Sequence, residues 1–460
     1  MRIPSEHREP SSFRDPSGFM FWHEGEIFRQ VNPSYAATYA QVAQSGILES
    51  LLSDRSMLPW EEVERNAETV VLKPVQLPFV SYPYEWSFSQ LQDAADLTLA
   101  IQLRCLEKGM TLKDASAFNI QFWKGAPTLI DGLSIEPLER GSGWVAYRQF
   151  CEQFLAPLLI SSYVDPRLNL LSQPFLDGIP LELASRLLPK TTKFRFGIAA
   201  HIHLHAKNQR TTVPSAAKDS AGRSISIDNL KAMIFGLKEL VGSLSLPRQA
   251  SVWQTYYEET NYDSSAMEEK RSIVLRFLSR IAPRPTMVWD LGSNTGEFSR
   301  PSSEMEMLTI GLEQDVFAAD KAYQTAKKSR DAFWMPLVQD LTNPSPSLGW
   351  DGCERKSLFE RGPASVAMAL ALVHHLSIAH NIPFDRLSMF LVKCGEWLII
   401  EFVPKEDSQV QRMLASRVDI FNNYNIENFE KAIAKDWEIV ERSAITGTHR
   451  TMFLCRQRGM

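Results

Sequence analysis

The stretch that decides the fold is VWDLGSNTGEFSR, residues 288–300. Apolar residues run into Asp290, and Gly292 and Gly296 follow with Asn294 between them. Glycine lets a backbone turn sharply and approach a ligand, and asparagine tolerates a left-handed conformation. Ligands of doubly wound sheets bind beyond the carboxyl ends of the strands. The stretch therefore predicts a buried strand that ends at a ligand.

The residues around this stretch alternate between strand patterns and helix patterns. Seven strands are predicted: Met287–Asp290, Leu308–Glu313, Trp334–Gln339, Val366–Leu372, Trp397–Phe402, Trp437–Ala444 and Arg450–Cys455. Strands that alternate with helices form βαβ units and a mainly parallel sheet. The last two strands are joined by the short turn ITGTH, which indicates an antiparallel pair. The sequence predicts an α/β fold over residues 285–460, a Rossmann-like, seven-stranded, doubly wound sheet with an antiparallel terminal hairpin.

The glycine motif resembles the first motif of class I S-adenosylmethionine (SAM)-dependent methyltransferases. Asn294 stands where many members of that family have the middle glycine. A Rossmann dehydrogenase requires G-x-G-x-x-G and places pyrophosphate on a helix N-terminus. Here the pattern is G-x-x-x-G, and the carboxylate of Glu297 follows it directly. Because a carboxylate repels pyrophosphate but not a sulfonium ligand, the motif favours SAM.

The resemblance continues at the ends of the next three strands and implies SAM as the cofactor. In the family, an acid after strand two holds the ribose hydroxyls, and Glu313 takes that position. An acid after strand three receives the adenine amino group, and Asp340, followed by Leu341, takes that position. A short segment after strand four lines the site, and Leu372 begins it. Asp290 and the two glycines would then bind the methionine end. For each acid taken singly, an ordinary strand-end loop residue is the alternative, but their joint register on successive strands favours a site.

His374, His375 and Glu401 are the candidate catalytic residues, and no metal site is predicted. An imidazole titrates near neutral pH and can serve as a general base. The alternative is that both histidines only form a wall of the site. Glu401 and Lys405 follow strand five, and we expect them near the acceptor. Because the methyl group of SAM is already activated, positioning and desolvation do most of the work.

An aromatic and acidic segment at residues 252–272 precedes the first strand. In many class I enzymes such a segment closes over SAM, which makes Tyr257, Tyr262 and Lys270 candidate lid residues. An aromatic helix packed on the sheet is the alternative. Residues 226–284 as a whole are predicted as a helical connector or lid. The C-terminal part also resembles bacterial nodulation-type methyltransferases.

The N-terminal region, residues 1–206, contains a second pattern. Asp114 is followed by Asn119 and, after a predicted strand pair, by Asp131. This resembles the catalytic loop and magnesium-binding aspartate of protein-kinase-like and aminoglycoside-phosphotransferase-like folds. The resemblance implies a base at Asp114 and magnesium ligands at the other two positions.

The N-terminal pattern also departs from those families. Lys113 precedes the first aspartate, Gly132 directly follows Asp131, and Arg29 stands where a lysine is expected. Arginine does not replace lysine neutrally on phosphate. We therefore predict a degenerate kinase-like α+β domain, with an accidental motif in an unrelated α+β domain as the alternative. A polar linker at residues 207–225 separates it from the rest of the chain.

The composition narrows the classes of partner. A chain of 460 residues predicts two or three domains. The net charge of −5 gives no basic footprint, which disfavours nucleic acid as a partner. Five scattered cysteines without a C-x-x-C pair indicate reduced thiols and no zinc site. No apolar run is long enough to cross a membrane, and the N-terminus lacks a signal-peptide pattern, so we expect a cytoplasmic protein.

The sequence therefore predicts a SAM-dependent methyltransferase that acts on an oxygen or nitrogen of an acceptor. A small molecule or glycan-like acceptor is favoured, and neither the acceptor nor the oligomeric state follows from the sequence. Two other hypotheses remain open. One is a kinase-like phosphotransferase in the N-terminal region, and the other is a non-catalytic scaffold that binds SAM.

Overall fold

The computed structural model describes residues 7–66, 68–207, 225–247, 264–415 and 418–459. Two compact units make up the chain. Unit 1 contains Met1–Arg248 and Leu348–Arg355, and unit 2 contains Gln249–Ser347 and Lys356–Met460. Most of the predicted linker at 207–225 lies outside the described residues. None of the described helices combines the length and the apolar character needed to cross a bilayer.

Unit 1 begins with an antiparallel sheet. Its four strands are β1 (Gly18–His23), β2 (Glu26–Val31), β3 (Trp60–Arg65) and β4 (Val70–Pro74). Their order in the sheet is β1-β2-β4-β3. Helices α1 (Pro33–Gln44) and α2 (Ile47–Ser53) connect β2 to β3. Alternate residues of β1, such as Phe19 and Phe21, are buried, as expected for a sheet with one covered face.

The rest of unit 1 is mainly helical, with two short strand pairs. Strand β5 (Met110–Leu112) pairs with β8 (Ile135–Pro137), and β6 (Ile120–Trp123) pairs with β7 (Ala126–Leu129). The helices are α3 (Phe88–Glu107), α4 (Tyr147–Phe150), α5 (Ala156–Tyr163), α6 (Leu181–Leu187), α7 (Phe196–Ile198) and α8 (Ile227–Ser243). Gln92 of α3 donates to the carbonyl oxygens of Val241 and Leu244, so α8 packs within this unit. The likeness of unit 1 to kinases stays a prediction.

Unit 2 is built on a seven-stranded sheet. The strands are β9 (Met287–Leu291), β10 (Leu308–Glu313), β11 (Trp334–Val338), β12 (Ala364–Ala369), β13 (Gly395–Phe402), β14 (Trp437–Ala444) and β15 (Thr451–Gln457). Their order is β11-β10-β9-β12-β13-β15-β14. The first five strands in this order are parallel, and β15 is antiparallel to both of its neighbours. The predicted sheet with its antiparallel terminal hairpin is confirmed.

The strand order reverses at β9, because β10 lies on one side of it and β12 on the other. Helices α9 (Ser264–Arg280), α10 (Ser299–Glu304), α11 (Val316–Ser329), α12 (Phe384–Val392), α13 (Ser408–Leu414) and α14 (Ile426–Asp436) complete the unit. Helix α9 buries Ile273, Val274 and Phe277 against the sheet. In sheets of this type the ligand site lies at the switch point, beyond the carboxyl end of the strand. The residues that follow β9 are those of the glycine motif.

Gly296 is required by packing as well as by backbone conformation. Its φ is +84°, and a Cβ added there would lie 1.8 Å from Cζ2 of Trp334. Gly447, in the turn between β14 and β15, also has a positive φ of +76° but no heavy atom within 4 Å of an added Cβ. The two glycines therefore separate conformational strain from steric overlap.

We expect Gly296→Ala to lower the free energy of unfolding by about 3 kcal/mol or more, because overpacking adds to the strain of a left-handed backbone. The control Gly447→Ala should cost only about 1 kcal/mol, since strain alone remains. Urea unfolding followed by tryptophan fluorescence measures both. Equal losses of unfolding free energy in the two variants would show that steric overlap with Trp334 adds nothing to the cost at Gly296.

Candidate functional site

The loop after β9, residues 292–296, folds back onto the end of β10, and we call it the glycine loop. Gly292 and Asn294 have positive φ values of +73° and +50°. The backbone N–H of Gly292 donates to the carbonyl oxygen of Leu312 at 2.8 Å. The N–H of Asn294 donates to Oε2 of Glu313 at 2.7 Å. The loop after β9 is therefore held by the residues that end the neighbouring strand.

Glu313 connects two loops through its carboxylate. Besides the bond from Asn294, its Oε1 accepts the N–H of Asp315 at 2.7 Å. Burial raises the pKa of this carboxyl to about 7, although both backbone N–H groups oppose the rise. The side chain is still partly accessible at the sheet edge. Because a carboxylate has about four lone-pair sites, it retains capacity to accept two hydroxyl groups.

Asp290 lies deeper, beneath the glycine loop. Its side chain is buried, and its Oδ2 accepts the hydroxyl of Ser299 at 2.5 Å. Burial raises the pKa of Asp290 to about 6, while the Ser299 hydrogen bond and the charge of Lys270 lower it. Asp290 therefore anchors the first residue of α10, immediately after the glycine motif. Its predicted contact with a cofactor stays a prediction.

Asp340 and Leu341 follow β11 and are both half-buried. Oδ1 of Asp340 accepts the N–H and the hydroxyl of Thr342, at 2.8 and 2.7 Å. Strands β11, β10 and β9 are adjacent and parallel, so their carboxyl ends share one edge of the sheet. The structure thus places Asp340, Glu313 and Asp290 at successive strands along that edge.

The segment after β12 reaches the glycine loop. We call residues 371–375 the site wall. A Cβ added to Gly292 would lie 3.1 Å from Cδ1 of Leu372, so this leucine packs against the loop. Ala371, at the start of the wall, has a φ of +51°. The predicted site residues that follow β9 and β12 are therefore in contact.

His374 and His375 occupy the end of the site wall, with ring centroids 4.3 Å apart. His374 is fully buried, and burial lowers the pKa of its imidazole well below the usual value. Neither of its ring nitrogens has a hydrogen-bond partner among the described residues. His375 is partly accessible, and burial lowers its pKa to about 4. Both rings are therefore neutral near pH 7.

Glu401, the third catalytic candidate, is fully buried at the end of β13. Its Oε2 accepts the N–H of Ala371 at 2.7 Å and pairs with Nζ of Lys270 at 2.6 Å. Arg450 Nη1 lies 3.4 Å from Oε1. The structure brings Glu401 to the site wall from the protein interior. Lys405 instead pairs with Asp419 at 2.7 Å.

For Lys270, the structure agrees with a helix packed on the sheet rather than with a lid. Lys270 is a residue of α9 and its side chain is buried. Its Nζ lies 4.3 Å from the centroid of the Phe298 ring. Tyr257 and Tyr262, the other predicted lid residues, lie outside the described residues. Burial lowers the pKa of Lys270, while Glu401 opposes this.

Arg450 and Asp407 form an ion pair beside Glu401 that the sequence did not single out. Arg450 is almost completely buried, and its Nε and Nη2 contact both oxygens of Asp407 at 2.7 and 3.1 Å. The available signal was Arg450 itself, a charged residue directly before the mainly apolar strand β15. A charge that is buried at such a position needs a partner of opposite charge. The spacing of the two residues in the chain did not reveal the pairing.

In unit 1, the three residues of the kinase-like pattern are each bound by protein groups. Asp131 pairs with Arg29 at 2.9 Å and accepts the N–H of Leu133. Asp114 accepts a hydrogen bond from the side chain of Gln149, and Asn119 donates one to the hydroxyl of Ser134. No cluster of three or more His, Cys, Asp or Glu side chains suited to a metal ion occurs among the described residues.

The raised pKa of Glu313 predicts a pH-dependent stability. The folded state binds this proton more tightly than the unfolded chain, so its contribution to stability is present at low pH and is lost as pH rises toward about 7. Glu313→Gln removes the titration. We expect the Tm of the variant, relative to the natural protein, to rise by a few degrees from pH 5 to pH 8.

Differential scanning calorimetry at the two pH values measures this difference. Asp385→Asn, at an exposed side chain of α12, is the matched control for replacing one carboxyl group by an amide. A Tm difference for Glu313→Gln that stays flat or falls with pH would contradict the raised pKa.

Solved structures with some likeness to the chain include several methyltransferases. Magnesium protoporphyrin IX methyltransferase (ChlM) from Synechocystis PCC 6803, with bound SAH, is 15% identical with a TM-score of 0.33 over 45% of this chain and 92% of that chain. N-methyltransferase NodS from Bradyrhizobium japonicum WM9 is 14% identical with a TM-score of 0.32 over 42% and 98%. The bifunctional kinase-methyltransferase WbdD is 16% identical with a TM-score of 0.31 over 48% and 46%. TM-scores this low do not establish a shared fold, which here rests on the strand order of unit 2.

A curated relative covers nearly the whole chain. Nodulation protein NoeA of Rhizobium meliloti (strain 1021) is 35% identical over 462 residues, which span 98% of this chain and 96% of the relative. No protein-family model matches. Identity at this level over both units shows common descent. The chain therefore belongs to the family of nodulation protein NoeA.

Proposed function

We propose that unit 2 is a SAM-dependent methyltransferase that transfers a methyl group to an oxygen or nitrogen of an acceptor. One observation carries this proposal. The glycine loop after β9 is hydrogen-bonded to the acid that ends β10, at the point where the strand order of a doubly wound sheet reverses. This combination occurs where such sheets bind nucleotide-like ligands.

The residues present fit SAM in chemistry and in position. The carboxylate of Glu313 has acceptor capacity left for ribose hydroxyls, and Asp340 lies one strand further along for the adenine amino group. The absence of a Cβ at Gly292 lets Leu372 approach the loop closely. Asp290 supports this arrangement from below through Ser299. The methionine end would lie over the glycine loop.

SAM, when bound, supplies a methyl group already activated on a sulfonium. The protein then has to hold the acceptor in line, exclude water and take up the acceptor's proton. We assign the proton to His375 rather than to His374, because His375 is partly accessible and His374 is fully buried. The lowered pKa of His375 keeps its ring in the neutral, proton-accepting form. His374 would then support the wall.

The acceptor is proposed as a small molecule or a glycan-like molecule. The net charge of −5 argues against nucleic acid, since a basic surface is its usual binding footprint. Kinship to a protein named for nodulation leaves the acceptor open. A scaffold that binds SAM without turnover differs from the enzyme only in lacking methyl transfer to any acceptor.

Calorimetric titration of SAM and of SAH into the full chain tests the proposal. We expect binding in the micromolar range, weakened at least about tenfold by Glu313→Ala because the ribose loses its acceptor. Asp290→Asn should also weaken binding, since the neutral amide holds Ser299 less well. Asp385→Asn, exposed on α12, is the control and should bind as the natural protein does.

A folded natural protein that binds neither SAM nor SAH would overturn the proposal. Titration of Mg-ATP then addresses the alternative in unit 1. Mg-ATP binding that disappears in Asp131→Ala would move the function to that unit. SAM binding without Mg-ATP binding would leave the methyltransferase or the SAM-binding scaffold.

A further inference from the structure

We propose that Glu401 is a positioning residue whose buried carboxylate, balanced by Lys270 and Arg450, holds the site wall against the glycine loop. The proposal rests on the function proposed above, because the wall matters only if SAM binds beside it. In this proposal Glu401 accepts the backbone N–H of Ala371, whereas the sequence led us to expect Glu401 near the acceptor.

The wall begins at a residue with an unfavourable backbone conformation. Ala371 has a φ of +51°, a region that residues other than glycine, asparagine and aspartate rarely adopt. Its N–H donates to Oε2 of Glu401 at 2.7 Å. The next residue, Leu372, is the one that packs against Gly292. The hydrogen bond from Ala371 therefore fixes the turn that brings the wall to the loop.

A carboxylate at this position needs counter-charges, because Glu401 is fully buried. Lys270 Nζ at 2.6 Å and Arg450 Nη1 at 3.4 Å supply them. Arg450 in turn pairs with both oxygens of Asp407. Lys270 and Arg450 thus place two cations around the carboxyl group that accepts the Ala371 N–H, and Asp407 adds a second anion beside Arg450.

The same four residues reach the other side of the site. Lys270 belongs to α9, the helix before β9, and its ammonium lies 4.3 Å from the centroid of the Phe298 ring. Phe298 directly precedes Ser299, which donates to Asp290. The glycine loop and the site wall are therefore both tied to Lys270. Disturbing this lysine–glutamate pair should change the distance between loop and wall, and with it the affinity for the cofactor.

Four variants of the full chain separate the hydrogen bond from the charges. Glu401→Gln removes the carboxylate that pairs with Lys270, and Lys270→Met removes the nearer of the two cations beside Glu401. The double variant Glu401→Gln/Lys270→Met removes both charges but keeps an amide oxygen that can accept the Ala371 N–H. The double variant Glu401→Leu/Lys270→Met removes the charges and the acceptor together.

The readout is the Kd of SAH by calorimetry at a temperature where every variant is folded. We expect each single variant to bind at least about tenfold more weakly than the natural protein. The Gln/Met double variant should recover to within about threefold, whereas the Leu/Met double variant should stay weak. Ile433→Val, at a buried residue of α14, is a destabilised control that should lower Tm without changing the Kd.

A Leu/Met double variant that binds SAH as tightly as the Gln/Met variant would overturn the inference, since the hydrogen bond would then be dispensable. Single variants that bind like the natural protein would overturn it as well. A natural protein that does not bind SAH at all would instead be a failure of the proposed function.

Discussion

The hydrogen bond from the Asn294 N–H to the Glu313 carboxylate is the contact on which unit 2 depends most. It joins the loop after β9 to the end of β10, and these are the strands on one side of the switch point. The loop contains Gly292, Asn294 and Gly296, all with positive φ. Hydrogen bonds within the loop join Gly296 to Ser293 and Thr295 to Asn294, and the bond to Glu313 attaches the loop to the neighbouring strand. This acid is stabilised by backbone N–H groups rather than by a cation.

Much of unit 2 was predictable because its strands are short apolar runs bounded by polar turns. The predicted and observed strands agree to within a few residues, since burial on both faces leaves little freedom in where a parallel strand begins. The acids at the strand ends were predictable for the same reason, because each directly follows an apolar run. The reason for Gly296 was less visible, since Trp334 lies far from it in the sequence.

The pairing of the buried charges was not predictable. Lys270 and Glu401 are separated by 131 positions, and nothing in the local pattern of either residue identifies the other. The position of Lys270 before the first strand suggested a lid. In the structure its side chain is buried and points toward Glu401 of the sheet. In unit 1 the kinase-like spacing was readable, but the ion pair between Arg29 and Asp131 depends on how β2 approaches the turn after β7. Ion pairs between residues far apart in the chain can be identified only once the fold is known.

The position of Arg450 has a consequence for the order in which the protein folds during synthesis. This residue introduces β15, and β15 lies between β13 and β14. The ribosome must therefore make Arg450 before this residue can pair with Glu401. A shorter nascent chain contains Glu401 and Lys270 but not Arg450. Unit 1 is subject to the same constraint, because it includes Leu348–Arg355. Neither unit is complete when its first strands emerge, because each includes residues that are made much later in the chain.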